Sequence, residues 1–396
     1  MRLRVIAVLL VLIGGYLAFN YFIRPIPAVA ATQSVPAAST IAGQPPALPW
    51  PSAGSAAAGV SGLGLVASSG KETPAPALAI AKVMTALIVL EDKPLKVGDL
   101  GPAITITDAD VQAYQAAQAA QQPAVEVQSG EQLSEFKALE GLLVPSAENF
   151  AYTLARWDAG SVNAFVAKMN KSAKELRMSH TSFADAGGAS ARTVSTPSDL
   201  VRLGVIAMKQ PVLAAIVAIT EATMPVAGTF PSLDAALGRS GIIGIEVGSG
   251  SAGAANFLFA ASATVGNFTI TTFGCLMGQP SLAVAFAAAE ALADAMKPTL
   301  QVVRVASKLE PVGSYDLPWS DHTDLVSTAN VELVEWPGMV LRQSLQAPAI
   351  TVEQPVDPGT QEGVLRITLG DYDIDVPLST ANTVFPPGRF WRATRI

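Results

Sequence analysis

The pattern of apolar positions begins with a run from Val5 to Ile23, broken only by Gly14, Gly15 and Asn20. Arg2 and Arg4 precede this run. A run of this length roughly spans the hydrocarbon core of a bilayer. Basic residues ahead of such a run keep the N-terminus inside and send the rest of the chain outside. Residues 1–24 are therefore predicted to be a transmembrane anchor or signal, which implies a single-pass cell-membrane protein with an extracytoplasmic body.

Residues 28–30, Ala-Val-Ala, offer a possible signal-peptidase site. The apolar run is long for a signal peptide, which favours an uncleaved anchor. Residues 25–57 are rich in Ala, Pro and Ser, and this composition predicts a disordered or extended linker.

Residues 58–297 alternate between apolar segments of strand and helix period. We predict an α+β domain, in which an early strand (60–67) meets a later strand (242–247) and a β-hairpin (256–277) in one antiparallel sheet. Short strands are also expected at 104–107 and 125–127. Helices are predicted at 76–87, 108–122, 135–143, 148–157, 161–176, 199–208, 211–219 and 282–296.

Residues 298–396 show short alternating segments, turn residues and no helical period. This pattern predicts a C-terminal all-β domain, a β-sandwich or small barrel. The final segment, 389–392, is expected to be an end strand of that domain.

Composition narrows the classes of function. Half of the 396 residues are hydrophobic, enough for a large core, and the net charge of −7 argues against a nucleic-acid partner. The chain has one cysteine, Cys275, and only two histidines, His180 and His322. We therefore expect no disulfide framework, no metal site, no cofactor and little basis for a Ser-His-Asp triad.

Lys82 stands out because it lies within an apolar helix with Val83, Met84 and Leu87 around it. Long lysine stems often lie along apolar surface, so a snorkelling lysine is one interpretation. The alternative is an active-site lysine one helical turn after a nucleophile. The residue one turn back is Ala79, which carries no reactive atom.

Three segments together resemble the serine D-Ala-D-Ala carboxypeptidases, low-molecular-mass penicillin-binding proteins related to the β-lactamases. Residues 76–90 resemble the nucleophile helix of that family. Residues 142–149, with Ser146, resemble its Ser-x-Asn motif, and residues 244–249 resemble its Lys-Thr-Gly motif on an edge strand. The resemblance covers residues 58–297 and implies the transpeptidase fold of that family.

The resemblance also implies roles for the motif positions. A helix-start serine attacks the substrate carbonyl, and a lysine one turn later helps remove its proton. The serine of the second motif relays protons, and the Lys and Thr of the third hold the terminal carboxylate of the substrate.

The motif positions of this chain are degenerate. Lys82 and Ser146 are kept, as vestigial catalytic residues. The other positions depart from the pattern except for one glycine. The nucleophile position holds Ala79, the Asn position Glu148, the Lys position Glu246 and the Thr position Val247, while the glycine is retained as Gly248. Glu246 reverses the charge where a carboxylate would dock, and like charges about 4 Å apart repel by about 1 kcal/mol in water and roughly 4 at an intermediate dielectric.

Two literal Ser-x-x-Lys matches lie elsewhere. Ser68 to Lys71 contains a glycine after a strand and is interpreted as a turn, and Ser134 to Lys137 is interpreted as a helix cap. Ser146 with Lys82 remains the best surviving pair.

Three hypotheses follow. The leading one is a pseudoenzyme in which Glu148, Glu246 or both neutralise Lys82, acting as a cell-wall scaffold, a regulator or a weak peptidoglycan binder. Its expected partners are peptidoglycan or cell-wall enzymes, with the membrane contacted by the N-terminal helix. The alternatives are an active or residual D,D-carboxypeptidase using Ser146, and an adhesion or partner-binding protein that acts through its β domain.

Overall fold

The structure is a computed structural model that describes residues 2–250 and 253–395. Residue 1 of the predicted anchor and residue 396 of the predicted β domain lie outside the described residues. The described helices are α1 Arg2–Phe22, α2 Ala81–Asp92, α3 Asp108–Ala119, α4 Glu135–Leu143, α5 Glu148–Ala159, α6 Val162–Glu175, α7 Pro197–Ala207, α8 Pro211–Val217, α9 Leu282–Met296 and α10 Arg389–Thr394.

The strands fall into two groups along the chain. The first group is β1 Ala31–Gln33, β2 Ala38–Thr40, β3 Ser55–Val60, β4 Gly64–Ser69, β5 Ala75–Pro76, β6 Ala103–Thr105, β7 Gln132–Ser134, β8 Val194–Ser195, β9 Glu221–Met224, β10 Gly228–Pro231, β11 Ile242–Ser249, β12 Ala255–Val265 and β13 Phe268–Gln279. The second is β14 Gln301–Ala306, β15 Pro311–Tyr315, β16 Thr323–Ser327, β17 Val331–Glu335, β18 Val340–Gln346, β19 Gln361–Leu369 and β20 Tyr372–Thr380.

The chain divides into two compact units. One comprises Pro45–Gln301, and the other combines Met1–Gln44 with Val302–Ile396. The first unit carries every residue of the three motifs.

The central sheet of the Pro45–Gln301 unit is antiparallel, in the order β11-β12-β13-β3-β4. Phe257 and Leu258 are neighbours on β12, so their side chains point to opposite faces. Phe257 packs edge to face on Phe286 of α9, and Leu258 lies against Gly204 of α7. The two helices therefore cover opposite faces, and the sheet is buried on both sides.

The helices α4, α5, α6 and α8 pack around α2, whose residues 81–90 are all buried, and α3 packs against α5. Apolar side chains explain this burial at every position except Thr85, which donates to the Ala186 carbonyl, and Lys82, the one charged residue among those ten. The start of the helix is a short 3-10 turn, Leu78–Ile80, which places Ala79 at the edge of the sheet beside β11.

The predicted early strand at 60–67 is instead a hairpin, β3 followed by β4. The chain turns at 61–63, between two strands, where Gly62 takes a positive φ of 81°. The sequence predicted one strand across this turn because the glycines of the turn are flanked by apolar residues. The strand predicted at 125–127 is absent; Val125 is instead held by the side chain of Asn149, which bonds both its N–H and its carbonyl.

The second unit is built on a seven-stranded sheet in the order β1-β15-β16-β20-β19-β18-β2, with β14 and β17 as a separate pair. The all-β prediction for this part of the chain is confirmed at the level of its strands. The linker prediction for 25–57 is wrong where β1 and β2 form the two edges of this sheet. Every residue of β2 is exposed, and such a strand is held by main-chain hydrogen bonds that leave no apolar pattern to find.

The predicted end strand at 389–392 is also wrong, because these residues form the helix α10. By itself, α1 is the one described helix that is long and apolar enough to cross a membrane: it offers 19 residues, Arg4–Phe22, with a mean hydropathy of 2.2. This agrees with the segment predicted from the apolar run.

Candidate functional site

Three separate segments bring their motif residues together at Lys82. The lysine lies in the first turn of α2, Ser146 lies in the turn before α5, and Glu148 is the first residue of α5. Glu246 lies in the middle of β11. All four residues are at least 97 % buried, so the degenerate motifs form one enclosed polar cluster.

The Lys82 ammonium has two hydrogen bonds and one ion-pair partner. Its Nζ donates to the Ser146 carbonyl at 2.8 Å and to the Ser146 Oγ at 3.1 Å. It also forms an ion pair with Glu148 Oε2 at 3.2 Å. Two hydrogen bonds and one buried ion pair therefore hold the Lys82 ammonium within the cluster.

Glu148 is well placed to hold this charge. It is the first residue of α5, and a carboxylate in the first turn of a helix is stabilised by the positive end of the helix dipole. The carboxylate lies flat against Gly187: a Cβ added there would come within 2.1 Å of Glu148 Oε1. Glycine at 187 is therefore needed for Glu148 to reach Lys82.

Glu246 reaches the cluster through Ser146. The Ser146 hydroxyl donates to Glu246 Oε1 at 2.5 Å while it accepts from Lys82. Among the ion pairs found in 2–250 and 253–395, Lys82 is paired with Glu148 and not with Glu246. The sequence left open which carboxylate would neutralise the lysine, and the structure places Glu148 in direct contact and Glu246 behind a serine.

Burial raises the pKa of Glu246 from 4.5 to about 8, against the opposing effects of the Lys82 charge and the Ser146 hydrogen bond. Near neutral pH, Glu246 is therefore mainly protonated. The buried charges then balance as one lysine and one carboxylate, Glu148.

This pKa gives a pH dependence of known sign. Above pH 4.5 the unfolded chain releases the Glu246 proton, whereas the folded chain keeps it up to about pH 8. The free energy of unfolding should therefore fall as pH rises through this window, by at most about 1.4 kcal/mol per pH unit from this group. Glu246→Gln should remove that part of the slope, as measured by denaturant unfolding at several pH values.

Two other buried carboxyls contribute slopes of the same sign, because burial raises the pKa of Glu135 to about 7 and that of Asp234 to about 6. The informative quantity is thus the difference between Glu246→Gln and the unaltered chain. Glu126→Gln, which changes an exposed carboxyl of the same unit, is the matched control. Identical slopes with and without Glu246 would contradict the assignment.

Ala79 and Gly248 mark where the nucleophile and the third motif meet. Ala79 is half-buried, and a Cβ added to Gly248 would lie 2.9 Å from the Ala79 nitrogen and 2.8 Å from Leu78 Cβ. The retained glycine therefore allows β11 to approach the start of α2. Val247 is buried opposite Phe257 on β12, and its apolar side chain offers no hydrogen bond to the cluster.

The other Ser-x-x-Lys matches have structural roles. Ser134 is the N-cap of α4: its Oγ accepts from the Lys137 N–H at 3.2 Å, while Lys137 Nζ pairs with Glu140. Ser68 lies on β4, ahead of the turn at Gly70 that leads to Lys71. The Lys137 ammonium is thus paired with Glu140 and not with Ser134, and a turn separates Ser68 from Lys71.

A cavity of about 510 Å³ adjoins the cluster, and the sequence did not predict it. It lies between α3 and α5, and Glu148, Tyr152 and Arg156 line its α5 side. Burial, and next the charges of Glu148 and Asp185, raise the pKa of Tyr152 to about 12. These three residues recur at every fourth position of one helix. This spacing places them on one face, and it is the feature of the sequence from which a shared polar surface could have been predicted.

Comparisons with known proteins agree with this geometry. The family model described as D-alanyl-D-alanine carboxypeptidase matches residues 61–272. A D-alanyl-D-alanine endopeptidase of Pseudomonas aeruginosa is 32 % identical over 138 residues, which are 35 % of this chain and 41 % of that protein. The match thus spans about two fifths of the length of this curated relative.

Solved structures extend the similarity to the fold. The DD-transpeptidase of Streptomyces K15 superposes with a TM-score of 0.56 at 25 % identity, covering 63 % of this chain and 98 % of that one. The D-alanyl-D-alanine carboxypeptidase DacD of Francisella tularensis gives 0.62 at 18 % identity, covering 88 % and 97 %. The resemblance stated from the motifs, and the fold class it implied, are confirmed.

Proposed function

Because the chain belongs to the D-alanyl-D-alanine carboxypeptidase family, we propose that it is a non-catalytic member of this peptidoglycan-processing family. In this proposal α1 anchors the protein in the cell membrane, and the Pro45–Gln301 unit lies outside the cytoplasm. There it serves as a scaffold or regulator of cell-wall enzymes, or as a weak peptidoglycan binder.

The observation that carries this proposal is Ala79 at the nucleophile position, beside a lysine held in a buried ion pair. A catalytic lysine must accept a proton from a nucleophile, and here the position one turn earlier is Ala79. The Lys82 ammonium is already hydrogen-bonded to Ser146 and ion-paired with Glu148. Acylation therefore lacks both a nucleophile and a free base.

Ser146 does not replace the missing nucleophile in this arrangement. Its hydroxyl donates to Glu246, and the residue is only 1 % exposed. A nucleophile must lie within reach of a substrate carbonyl, and this oxygen lies beneath the surface of the site. The hydrolase alternative thus requires the cluster to open.

The test is labelling of the full chain, in detergent, with a fluorescent penicillin, alongside a family member that has the nucleophilic serine. We expect no covalent adduct with this chain, because the step needs an oxygen at position 79. A stable adduct would overturn the proposal. An adduct lost in Ser146→Ala would establish the alternative, a hydrolase acting through Ser146.

Binding of purified peptidoglycan separates the possible roles. Co-sedimentation of the unlabelled chain with peptidoglycan would favour a binder, and its absence would favour a scaffold or regulator that contacts enzymes. The membrane part of the proposal is supported by the 19-residue apolar stretch of α1 and by the basic residues ahead of it.

A further inference from the structure

The cavity of about 510 Å³ between α3 and α5 has two unlike walls. The α5 wall carries the polar side chains of Glu148, Tyr152 and Arg156. The α3 wall is built mainly from small apolar residues, which leave the space open: Ala109, Ala113, Ala116, Ala117 and Ala120. A pocket of this size, with an apolar surface and a few polar groups on one side, is typical of a site for a small ligand.

This cavity is separate from the place where the three motifs meet. Glu148 is part of its wall, whereas Lys82, Ser146 and Glu246 are not among the described residues that line it. A ligand in the cavity would therefore touch the buried polar cluster through Glu148.

Glu148 brings an unused acceptor to this wall. Its Oε2 pairs with the Lys82 ammonium at 3.2 Å. Its Oε1 is buried and has no hydrogen-bond partner in the described part of the chain. Leaving a buried acceptor unpaired costs free energy. Because Glu148 is itself part of the cavity wall, a donor in the cavity can supply the missing hydrogen bond while the ion pair with Lys82 is kept.

A second carboxylate adds negative charge nearby. Asp185 is buried, and its oxygens accept from the main-chain N–H groups of Gly188 at 3.2 Å and Ser190 at 2.8 Å. The Thr193 hydroxyl also donates to it. These three donors are neutral, so they do not cancel the charge of Asp185. The turn that they form includes Ala189, which lines the cavity.

Tyr152 shows the sign of the resulting electric field. After burial, the charges that raise its pKa to about 12 are those of Glu148 and Asp185. Neighbouring negative charges have this effect because they disfavour the phenolate. The cation on the same wall, Arg156, is already engaged, since its Nε at 3.3 Å and its Nη2 both donate to Asp110. The middle of the α5 wall therefore favours a positive charge.

We propose that this cavity binds a primary ammonium group on a short apolar chain. The carboxylate of Glu148 and the hydroxyl oxygen of Tyr152 accept its N–H groups, and the alanines of α3 contact the chain. An ammonium has three donors and no acceptor, which matches a wall that offers a carboxylate oxygen and a phenol oxygen. Free amines and the amino termini of peptides both carry this group. The inference goes beyond the proposed function and does not depend on it.

The buried charges balance once such a ligand is present. Lys82 and the ligand supply two positive charges, and Glu148 and Asp185 supply two negative charges. Burial keeps Glu246 mainly protonated near neutral pH, so it adds no charge. The ligand thus compensates a carboxylate that now has neutral donors only.

The first test compares two pairs of compounds that differ in the ammonium group: leucinamide with N-acetyl-leucinamide, and n-butylamine with 1-butanol. At pH 7 both amines are mainly protonated, since an α-amino group has a pKa of about 7.7–8.0 and an alkylamine a higher one. The amine should bind the full chain in detergent at least about tenfold more tightly than its neutral partner, the ratio expected for one hydrogen bond to a charged group. Calorimetric titration measures both affinities.

The pattern across the two pairs identifies the source of the ammonium. Binding of both amines would indicate a site for free amines, and binding of leucinamide without n-butylamine would indicate a site for the amino terminus of a peptide. A ratio near one in both pairs, or no binding of either amine, would overturn the proposal.

The second test locates the site. Ala116 is exposed and lines the cavity, so Ala116→Phe should fill the space and weaken amine binding at least about tenfold without removing a polar group. Ala119→Phe is the matched control, because Ala119 is exposed on the same helix and is not among the described residues that line the cavity. Equal affinities in the two variants would place the amine elsewhere and overturn the site.

The third test addresses the carboxylate. Glu148→Gln should reduce the ratio between the amine and its neutral partner to near one. This variant also breaks the ion pair with Lys82, so its fold is checked by circular dichroism, and the comparison of Ala116→Phe with Ala119→Phe decides the question if it does not fold. A folded Glu148→Gln chain that keeps the tenfold ratio would overturn the role of Glu148.

Discussion

Lys82→Met should lower the free energy of unfolding by about 3–5 kcal/mol, the range for removing one partner of a buried ion pair. Glu148 Oε2, 3.2 Å from the ammonium, would stay buried with no cation beside it. The Ser146 carbonyl would also lose the donor that now lies at 2.8 Å. Denaturant unfolding of the full chain in detergent measures the loss, with a probe that follows the Pro45–Gln301 unit.

A surface pair of the same unit provides the matched control. Lys171 pairs with Glu175 at 3.3 Å, but their side chains are 76 % and 59 % exposed. Lys171→Met should therefore cost no more than about 1 kcal/mol. Equal losses for the two lysine variants would show that the Lys82 pair is not a stabilising element of the folded chain.

The double variant Lys82→Met with Glu148→Leu identifies the cause. Replacing a buried pair by apolar residues of similar volume is often neutral or stabilising. The double variant should thus regain most of the stability that Lys82→Met loses. No recovery would mean that the loss comes from packing and not from an uncompensated carboxylate.

Restoring the serine alone should not restore acylation. In Ala79→Ser the new hydroxyl would face a lysine that Glu148 and Ser146 already occupy. The carboxylate of an incoming penicillin would also meet Glu246 in place of a lysine, and a carboxyl that burial keeps protonated near neutral pH supplies no positive charge to hold it. We expect no detectable adduct with fluorescent penicillin.

Reverting all four positions should restore acylation. Removing a nucleophilic serine costs a serine peptidase roughly six orders of magnitude in kcat, so labelling should change from absent to readily measured. The variant combines Ala79→Ser, Glu148→Asn, Glu246→Lys and Val247→Thr. Its matched control keeps Ala79 and carries the other three changes; it should remain unlabelled.

Two outcomes would contradict this account. Labelling of Ala79→Ser as strong as that of the fourfold variant would show that Glu148 and Glu246 are no barrier. A fourfold variant that is folded by circular dichroism and still unlabelled would show that the chain has lost more than the chemistry of its motifs.

The local sequence pattern was sufficient for the helices of the Pro45–Gln301 unit. The polar caps of α4 and α6 are local features, and these two helices lie close to their predicted positions. The helix predicted from residue 76 begins only at Ala81, because Ala75–Pro76 pairs with β8 and Leu78–Ile80 forms a 3-10 turn. Strands were harder to place where glycines interrupt an apolar run, as between β3 and β4, or where pairing uses main-chain groups alone, as in β1 and β2.

The sequence by itself determined which residues the site contains. Ala79 in place of the nucleophile, and Glu148 and Glu246 at the other motif positions, are visible in the order and spacing of the motifs. These identities exclude acylation at position 79 without any coordinates, because alanine has no atom that can be acylated.

Only the tertiary structure decided which of the two carboxyl groups pairs with Lys82. Glu148 contacts Lys82 because it begins α5 against Gly187, whereas Glu246, on β11, lies behind the Ser146 hydroxyl and holds a proton. Contacts between residues far apart in sequence depend on how strands and helices pack, and no local pattern encodes them. The same holds for Arg395, whose partners at the end of α1 lie about 370 residues earlier in the chain.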